Sequence, residues 1–300
     1  MQMLADNLKI APELRTGPVV ALETTIVTHG MPYPENVETA RSVEEEVRRL
    51  GAKPATIAVI GGVIRVGLSG AELDRLGQSK GVLKLSRNDL AYAVVSGKAG
   101  ATTVAATMIC AQLAGIRVFA TGGIGGVHRG AETSFDVSAD LDELAQTPVA
   151  VVSAGAKALL DLPKTLEYLE TRGVPVIGYR TDEFPAFWSR QSGLRVGIRM
   201  DTPAEIAHFL NVKWDLGLRG GALICNPVPE ADAIPAAEMA GHIEAAVAEA
   251  AHLGVTGKAV TPHILARIVE MTHGRSLRTN IALVRSNARL AAEIAVAMAG

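Results

Sequence analysis

The stretch ATGGIGGVHRGAETSFDVSADLDELAQTPVAVVSAGAK, residues Ala120–Lys157, decides the fold that the sequence predicts. An apolar run, Ile116–Ala120, ends at a cluster of glycines, and a second run, Val149–Val152, ends at small residues followed by Lys157. Short apolar runs bounded by turn residues are typical of buried strands. Because ligands of open parallel sheets bind at the carboxyl ends of the strands, we expect the polar residues after both runs to face one crevice.

Outward from this stretch, strand-like and helix-like segments alternate along the whole chain. The predicted strands are Val19–Leu22, Thr56–Ile60, Val63–Val66, Val82–Leu85, Ile116–Ala120, Val149–Val152, Val174–Tyr179, Arg195–Met200 and Ala222–Cys225. The predicted helices are Val37–Leu50, Ala71–Leu76, Leu90–Val95, Thr103–Leu113, Leu141–Ala145, Ala158–Arg172 (interrupted at Pro163), Thr202–Trp214, Ala236–Leu253, Pro262–Met271 and Leu277–Met298. This alternation predicts the α/β class, with a mainly parallel sheet covered by helices, in a single domain over residues 1–300. The aromatic cluster Phe184–Trp188 is interpreted as a lid or as a contact with a neighbouring subunit.

Composition and charge favour a cytoplasmic protein that acts on small molecules. Lys and Arg (29) nearly balance Asp and Glu (31), and no basic block occurs, which argues against a nucleic-acid polymer as partner. Cys110 and Cys225 lie in apolar stretches and are expected to be buried, reduced thiols. The N-terminus lacks the pattern of a signal peptide. The charge-free run between Lys98 and Arg117 contains threonines and a glutamine, so it predicts a buried helix rather than a membrane span.

Three common cofactor motifs do not fit the glycines and histidines of this chain. With glycines at Gly123 and Gly125, the third position of a dinucleotide-binding fingerprint is occupied by His128. Neither Gly97-Lys98 nor Gly257-Lys258 is preceded, five residues earlier, by the glycine that a P-loop requires. No pair of histidines has zinc-site spacing. Nicotinamide, P-loop and zinc chemistry are therefore weakly supported.

Lys157 is the strongest candidate for covalent chemistry. It follows a predicted strand and the small residues Ala154–Ala156, which leave space around its amine. The ordinary alternative is an exposed lysine at the start of a helix. A desolvated amine beside another cation loses its charge more easily and becomes a nucleophile. Lys84 is a candidate for that cation or for a phosphate anchor, and is equally compatible with a solvated lysine on an edge strand.

Several carboxylates suit acid–base or metal chemistry. Glu23, just after a predicted strand, is a candidate general acid, or else a carboxylate that accepts hydrogen bonds from loop amides. Asp136 lies outside any predicted helix and suits an oxygen-ligand site for Mg or Mn. Asp140 with Glu143 fits a capping box at the start of the next helix, with Ser138 as a second cap candidate.

Eight motifs along the chain occur together in one known protein family. They are LETTIVTHGMPYP (Leu22–Pro34), PATIAVIGGVIRVGL (Pro54–Leu68), LKLSRNDL (Leu83–Leu90), GATTVAATM (Gly100–Met108), TGGIGGVHRGAETSFDVSADL (Thr121–Leu141), SAGAK (Ser153–Lys157), NPVPE (Asn226–Glu230) and NIALV (Asn280–Val284). The chain thereby resembles the pseudouridine-5′-phosphate glycosidases, also called the indigoidine synthase A-like family, from about Leu14 onward. The departures, LKLSRNDL for KVSRRDL and Thr25 for Ser, are conservative.

This resemblance implies an α/β/α fold, with helices on both faces of the sheet, and a homotrimer. It also implies reversible cleavage of pseudouridine 5′-phosphate to uracil and ribose 5-phosphate, a step in pseudouridine catabolism. The bond that breaks joins two carbons, so the paired-carboxylate route of ordinary glycosidases would require uracil to leave as a carbanion. A lysine that attacks C1′, opens the sugar ring and forms a Schiff base offers another path.

The resemblance assigns roles residue by residue. Lys157 resembles the family's nucleophile, Glu23 its proton donor and Asp136 its Mn²⁺ ligand, completed by waters. The matching substrate-binding positions are Lys84, Val104, Ser138, Ala139 and Asp140, and His128 and Asn280 are expected as further pocket residues. Val104 has no polar side chain, so it would act through its backbone or its shape.

Two other functions fit the same residues. Another Schiff-base enzyme, such as a sugar-phosphate lyase or aldolase, would use Lys157 in the same way. A non-catalytic accessory protein of pigment biosynthesis would bind a nucleotide without turning it over. The expected partners are small molecules in each case, with no nucleic-acid polymer and no membrane.

Overall fold

A single twisted sheet of eleven strands forms the centre of the computed structural model, which describes residues 6–255 and 257–300. Its strands are β1 (Leu8–Ile10), β2 (Val19–Leu22), β3 (Lys53–Ile60), β4 (Val63–Val66), β5 (Leu83–Leu85), β6 (Gly100–Thr102), β7 (Val118–Ala120), β8 (Ala150–Ser153), β9 (Val176–Tyr179), β10 (Ile198–Met200) and β11 (Ala222–Cys225). Most of the predicted strands are confirmed, with shifted ends, while β1 and β6 were missed because three-residue strands carry little pattern.

The strand order is β1-β4-β3-β2-β7-β8-β11-β9-β10, and β6 joins the sheet beside β3, with β5 beyond it. The β3–β4 and β3–β6 pairs are antiparallel and all other pairs in the described chain are parallel, which confirms the mainly parallel sheet. From β2 the chain crosses to β3 on one side, and β7 then pairs on the other side of β2. This reversal creates a topological switch point between β2 and β7, where open α/β sheets bind their ligands.

Helices cover the sheet. They are α1 (Glu35–Arg49), α2 (Gly70–Gln78), α3 (Leu90–Ser96), α4 (Val104–Leu113), α5 (Ala131–Ser134), α6 (Ala139–Gln146), α7 (Leu162–Thr171), α8 (Pro203–Asp215), α9 (Ala236–His252), α10 (Val260–Met271) and α11 (Arg275–Ala299). The helix α11 packs between α1 and α8 and against β2, β7 and β8, whereas α4 packs against α6. These contacts divide the helices into two groups, one with α1, α8 and α11 and the other with α4 and α6.

Two helix starts differ from the sequence prediction, and capping explains both. The helix α7 begins at Leu162, because the Asp161 side chain accepts a hydrogen bond of 3.0 Å from the Lys164 amide. Pro163 therefore lies in the first turn, where proline is tolerated, and does not interrupt the helix. The helix α6 begins after Ser138, which is its N-cap, so the capping box predicted from Asp140 is wrong.

Three sequence expectations concern burial. Phe184, Phe187 and Trp188 are 0%, 4% and 1% exposed, so this segment belongs to the core and is neither a surface lid nor an exposed subunit contact. Cys110 and Cys225 are free and buried as predicted, and burial raises the pKa of the Cys110 thiol to about 12. Within the described residues, no helix has the length and apolar character needed to cross a membrane.

Candidate active site

A cavity of about 370 Å³ opens at the carboxyl ends of β2 and β7. Its lining contains every site residue predicted from the sequence: Glu23, Lys84, Val104, His128, Asp136, Ser138, Ala139, Asp140, Lys157 and Asn280. These residues are spread along the chain from Glu23 to Asn280, and the fold brings them together. The crevice expected from the strand pattern is thus present in the structure.

Glu23 lies beside Thr121 because β2 and β7 are in register. Leu22 pairs with Ala120, so the next residue of each strand lies at the switch point. The Thr121 hydroxyl donates a hydrogen bond to Oε1 of Glu23, and the Thr25 hydroxyl donates one to Oε2. Both carboxylate oxygens therefore have a hydroxyl donor, and the carboxylate is held in one orientation at the pocket wall. The sequence analysis also allowed hydrogen bonds from loop amides to Glu23. In the structure, the donors to this carboxylate are the hydroxyls of two threonines.

Lys157 points into the same cavity. Its Nζ donates a hydrogen bond of 2.9 Å to the carbonyl oxygen of Gly123, and its own amide donates one of 3.1 Å to Ile124. The side chain is half-buried and follows β8 by four residues, in a turn and not at a helix start. Lys157 and Glu23 thus both line one cavity.

Two helix N-termini face the cavity, at Val104 and Ala139. In α4, the amide of Ala105 donates to Asp140 and that of Ala106 to the Thr103 hydroxyl, whereas the Val104 amide has no partner among the described residues. In α6, the first amide, that of Ala139, likewise has no partner within the described chain. Unpaired amides at helix N-termini form ready anion sites. The backbone thus gives the apolar positions Val104 and Ala139 a hydrogen-bond donor.

Asp140 supports these helices from behind the pocket surface. Its carboxylate, on a residue 6% exposed, accepts hydrogen bonds of 2.9 Å from the Ala105 amide and 2.8 Å from the Gly125 amide. Gly125 can lie this close because it lacks a side chain: a Cβ there would be 2.2 Å from Oγ of Ser138. Since both oxygens of Asp140 are engaged by backbone amides, the side chain primarily shapes the site.

Two histidines and two lysines line the cavity together. Burial lowers the pKa of His29, and the positive charge of Lys84 adds to this effect. Burial also lowers the pKa of His128; Asp136 opposes the shift, while Lys157 and Lys84 reinforce it. The lowered pKa at both positions favours the neutral imidazole. His29 was missed in the sequence because its motif gave no chemical reason to select it.

Asp136 is the most exposed of the candidate residues, with a side chain 48% accessible. Its Oδ2 lies 3.8 Å from Nδ1 of His128. Within the described residues there is no group of three or more His, Cys, Asp or Glu side chains able to hold a metal ion. The donor set at this position is one carboxylate, which fits a divalent ion that keeps most of its water and does not fit a closed protein cage.

The helix α11 contributes two asparagines. Asn280 lines the cavity, and its Oδ1 is buried without a partner in the described structure, so it is available to a donor on a ligand. Asn287 is fully buried and donates to the carbonyl of Thr121. Sequence reasoning missed Asn287, although its place on the apolar stripe of a predicted helix, between Leu283 and Ala291, was a signal of a buried polar contact.

Comparisons with known proteins find one family model and many relatives that match most of the chain. A family model described as "Indigoidine synthase A like protein" matches residues 10–297. A pseudouridine-5′-phosphate glycosidase of Solibacter usitatus is 72% identical over 294 residues, covering 96% of this chain and 98% of the relative. One of Caldanaerobacter subterraneus subsp. tengcongensis is 60% identical over 293 residues, covering 98% and 95%.

Two solved structures have the same fold. The prealnumycin C-glycosynthase AlnA, in complex with ribulose 5-phosphate, matches with a TM-score of 0.90 and 39% identity, over 97% of each chain. An indigoidine synthase A (IdgA)-like protein from Thermotoga maritima matches with a TM-score of 0.88 and 39% identity, over 96% of this chain and 95% of that one.

Proposed function

The chain belongs to the indigoidine synthase A-like family, and from that premise we propose that it cleaves pseudouridine 5′-phosphate to uracil and ribose 5-phosphate, reversibly. It is an enzyme acting on a C-glycosidic bond, and its physiological role is the catabolism of pseudouridine. The observation that carries this proposal is that the Lys157 amine and the Glu23 carboxylate open onto one cavity. The same cavity holds two helix N-terminal amides that have no partner within the described chain.

Lys157 supplies the nucleophile. A neutral amine that donates one N–H to the Gly123 carbonyl directs its lone pair away from that carbonyl, into the cavity. The nitrogen attacks C1′ of the ribose, the C1′–O4′ bond breaks, and O4′ takes a proton from the carboxylic acid form of Glu23. The resulting Glu23 carboxylate accepts the proton that the attacking nitrogen loses. The nitrogen lone pair then forms the C1′=N bond of a Schiff base as the C1′–C5 bond breaks, and Glu23 returns that proton to C5 of the leaving uracil. Water hydrolyses the Schiff base to ribose 5-phosphate and free Lys157.

The phosphate binds at the two helix N-termini. The amides of Val104 and Ala139, which have no partner among the described residues, present N–H donors. Lys84 lines the same cavity and adds positive charge. Its neighbour Leu85 accepts a hydrogen bond from the amide of Thr103, at the start of α4. The acceptor oxygen of Asn280 suits an N–H or O–H of the substrate.

Asp136 is proposed to hold Mn²⁺ with water molecules as its remaining ligands. A bound divalent ion would supply positive charge that attracts the anionic substrate to the mouth of the cavity. The steps assigned to Lys157 and Glu23 do not pass through it. A homotrimer in the cytoplasm is also proposed, on the family resemblance.

Formation of C-glycosidic bonds is a second candidate function. Its support is the likeness to a C-glycosynthase structure that contains a pentose phosphate. The proposed chemistry runs in both directions, so the acceptor that the cavity admits would decide between the two functions. An aldolase or a non-catalytic accessory protein would share the pocket but not this reaction.

The deciding experiment follows uracil release from pseudouridine 5′-phosphate with Mn²⁺ present. Lys157→Ala should lower the rate by about 10³-fold or more, while the exposed Lys80→Ala serves as the matched control. Borohydride with ribose 5-phosphate should add mass to the peptide that contains Lys157, and aldol substrates should not. Normal turnover by Lys157→Ala, or tight binding without turnover by the unmodified protein, would overturn the proposal.

A further inference from the structure

Phe187 differs from the other non-glycine residues of the described cavity lining in its backbone conformation. Its φ is +61°, in the left-handed region, which bulky side chains rarely adopt. The residue is 4% exposed, and its ring packs edge-to-face on Trp188 with centroids 5.0 Å apart. Such a conformation costs free energy and persists only where the surrounding contacts enforce it, often at functional sites.

A tight turn enforces this conformation. The amide of Ala186 donates to the carbonyl of Ser189 at 3.0 Å, which places Phe187 and Trp188 at the tip of the turn. The Ser189 hydroxyl donates to the carbonyl of Ile234 at 2.7 Å, and the Ile234 amide donates to Trp188 at 2.9 Å. The turn is therefore fixed to the chain that follows β11.

The tip of the turn is attached to the segment that carries the candidate nucleophile. The amide of Phe187 donates a hydrogen bond of 3.1 Å to the carbonyl of Ala154, and Ala186 forms an antiparallel bridge with Gly155. Lys157 follows only two residues after that bridge. Movement of the turn would thus be passed directly to the backbone of Lys157.

The ring also lies on the residue that accepts the lysine's hydrogen bond. A Cβ added to Gly123 would be 2.7 Å from Cδ2 of Phe187, so the ring occupies the space of the missing side chain. The carbonyl of this same Gly123 accepts the hydrogen bond from Nζ of Lys157. The ring of Phe187 consequently packs on Gly123, whose carbonyl accepts the hydrogen bond from Lys157. The amide of Phe187 binds Ala154, in the segment that leads to Lys157.

We propose that Phe187 is a positioning residue that sets the place and direction of the Lys157 amine by fixing the Gly123 peptide. The inference rests on the proposed function in taking Lys157 as the nucleophile. While the Gly123 carbonyl is fixed, one N–H of the amine points in one direction. The lone pair of the nitrogen therefore also keeps one direction. Without the ring, the Gly123 peptide can rotate, and the amine samples directions that do not lead to C1′.

Phe187→Leu and Phe187→Gly test this proposal. Both remove the ring, whereas glycine alone favours the left-handed backbone, so a loss shared by the two variants follows the ring and not backbone strain. We expect kcat to fall about 10- to 100-fold and KM to stay within about threefold, because misplacing a reacting group lowers turnover while the phosphate site is built from other residues. Phe209→Leu, which removes a ring from α8 outside the cavity, is the control for lost core packing.

A second measurement does not depend on turnover. Trace acetylation with acetic anhydride, followed by peptide mass mapping, gives the reactivity of Lys157 relative to that of the exposed Lys80. We expect this ratio to change more than about twofold in both Phe187 variants and to be unchanged in Phe209→Leu. An unchanged ratio, or a kcat no lower than that of Phe209→Leu, would overturn the positioning role. Failure of borohydride to trap ribose 5-phosphate on the unmodified protein would instead overturn the proposed function, and the acetylation ratio would still decide the role of Phe187.

Discussion

Asn287, within α11, donates a hydrogen bond of 2.8 Å from its side-chain amide to the carbonyl oxygen of Thr121, 166 residues earlier in the chain. The Oδ1 of Asn287 in turn accepts a hydrogen bond of 3.0 Å from the side-chain amide of Asn226. Thr121 uses its hydroxyl to hold Glu23. The candidate acid is therefore held through a buried series of hydrogen bonds that joins the ends of β7 and β11 to the last helix.

Replacing Thr121 by valine should lower kcat by about tenfold, with little change in KM, because the hydroxyl orients Glu23 and is not part of the phosphate site. Steady-state uracil release measures both constants. Thr121→Ser keeps the hydroxyl and should restore most of the rate. Thr107→Val makes the same change in the core outside the cavity, and a loss of rate there as large as in Thr121→Val would contradict this role.

Val104→Pro tests the amide at the start of α4 without breaking the helix. Proline is tolerated at the first helical position, and Thr103, with ψ of 179°, has the extended backbone that must precede it. Loss of the N–H should raise KM for pseudouridine 5′-phosphate by about tenfold while the melting temperature changes little. Ala139→Pro should act in the same way at α6.

Gly70→Pro provides the matched control for both proline variants. Gly70 is the exposed first residue of α2, follows the extended Ser69 and lies outside the cavity. The Gly70→Pro variant should leave both the KM for pseudouridine 5′-phosphate and the melting temperature unchanged. A similar KM in all three variants would show that the free amides do not bind the phosphate.

Asp136→Asn should weaken Mn²⁺ binding by more than about tenfold, since loss of even an outer partner of a metal ligand has an effect of that size. Electron paramagnetic resonance of free Mn²⁺ measures the binding directly. Glu132→Gln is the control, because this carboxylate is exposed and pairs with Lys164. Equal affinity in both variants would place the ion elsewhere.

His29 should make stability depend on pH. Its pKa in the folded protein is below the ordinary value of 6.5, chiefly because the ring is buried and secondly because of Lys84. Below pH 6.5 the unfolded state therefore binds more protons than the folded state. The contribution of neutral His29 to the free energy of unfolding is fully present above pH 6.5 and is lost as the pH falls. His29→Gln should show a smaller decrease in the free energy of unfolding between about pH 7.5 and about pH 5. Parallel urea titrations across this range measure the difference, and identical slopes would contradict it.

Much of the fold followed from the sequence because its apolar runs are long enough to show a period. The strand at Val19–Leu22 and that at Ala222–Cys225 were predicted with their exact bounds. Helix ends were less certain, since several residues can cap: of the two candidates at the start of α6, Ser138 is the N-cap and Asp140 is not. The rule that ligands bind at the carboxyl ends of parallel strands predicted the grouping of Glu23 and Lys157.

The rest of the site depends on contacts between distant parts of the chain. The sequence does not reveal which helix amides remain unpaired, so the binding role of Val104 came from resemblance and not from its chemistry. Thr121 looks like any polar residue after a strand, and its bond to Glu23 exists only because β2 and β7 are adjacent. The aromatic segment Phe184–Trp188 suggested a surface role, but tertiary packing places it in the core.

The position of α11 in chain order has a consequence for biosynthesis. Every strand in the described part of the chain precedes this helix, yet it supplies Asn280 to the cavity and Asn287 to the support of Glu23. A nascent polypeptide can thus assemble its sheet while the ribosome is still translating this segment. Until translation of α11 is complete, the cavity lacks Asn280 and the carbonyl of Thr121 lacks its hydrogen bond from Asn287.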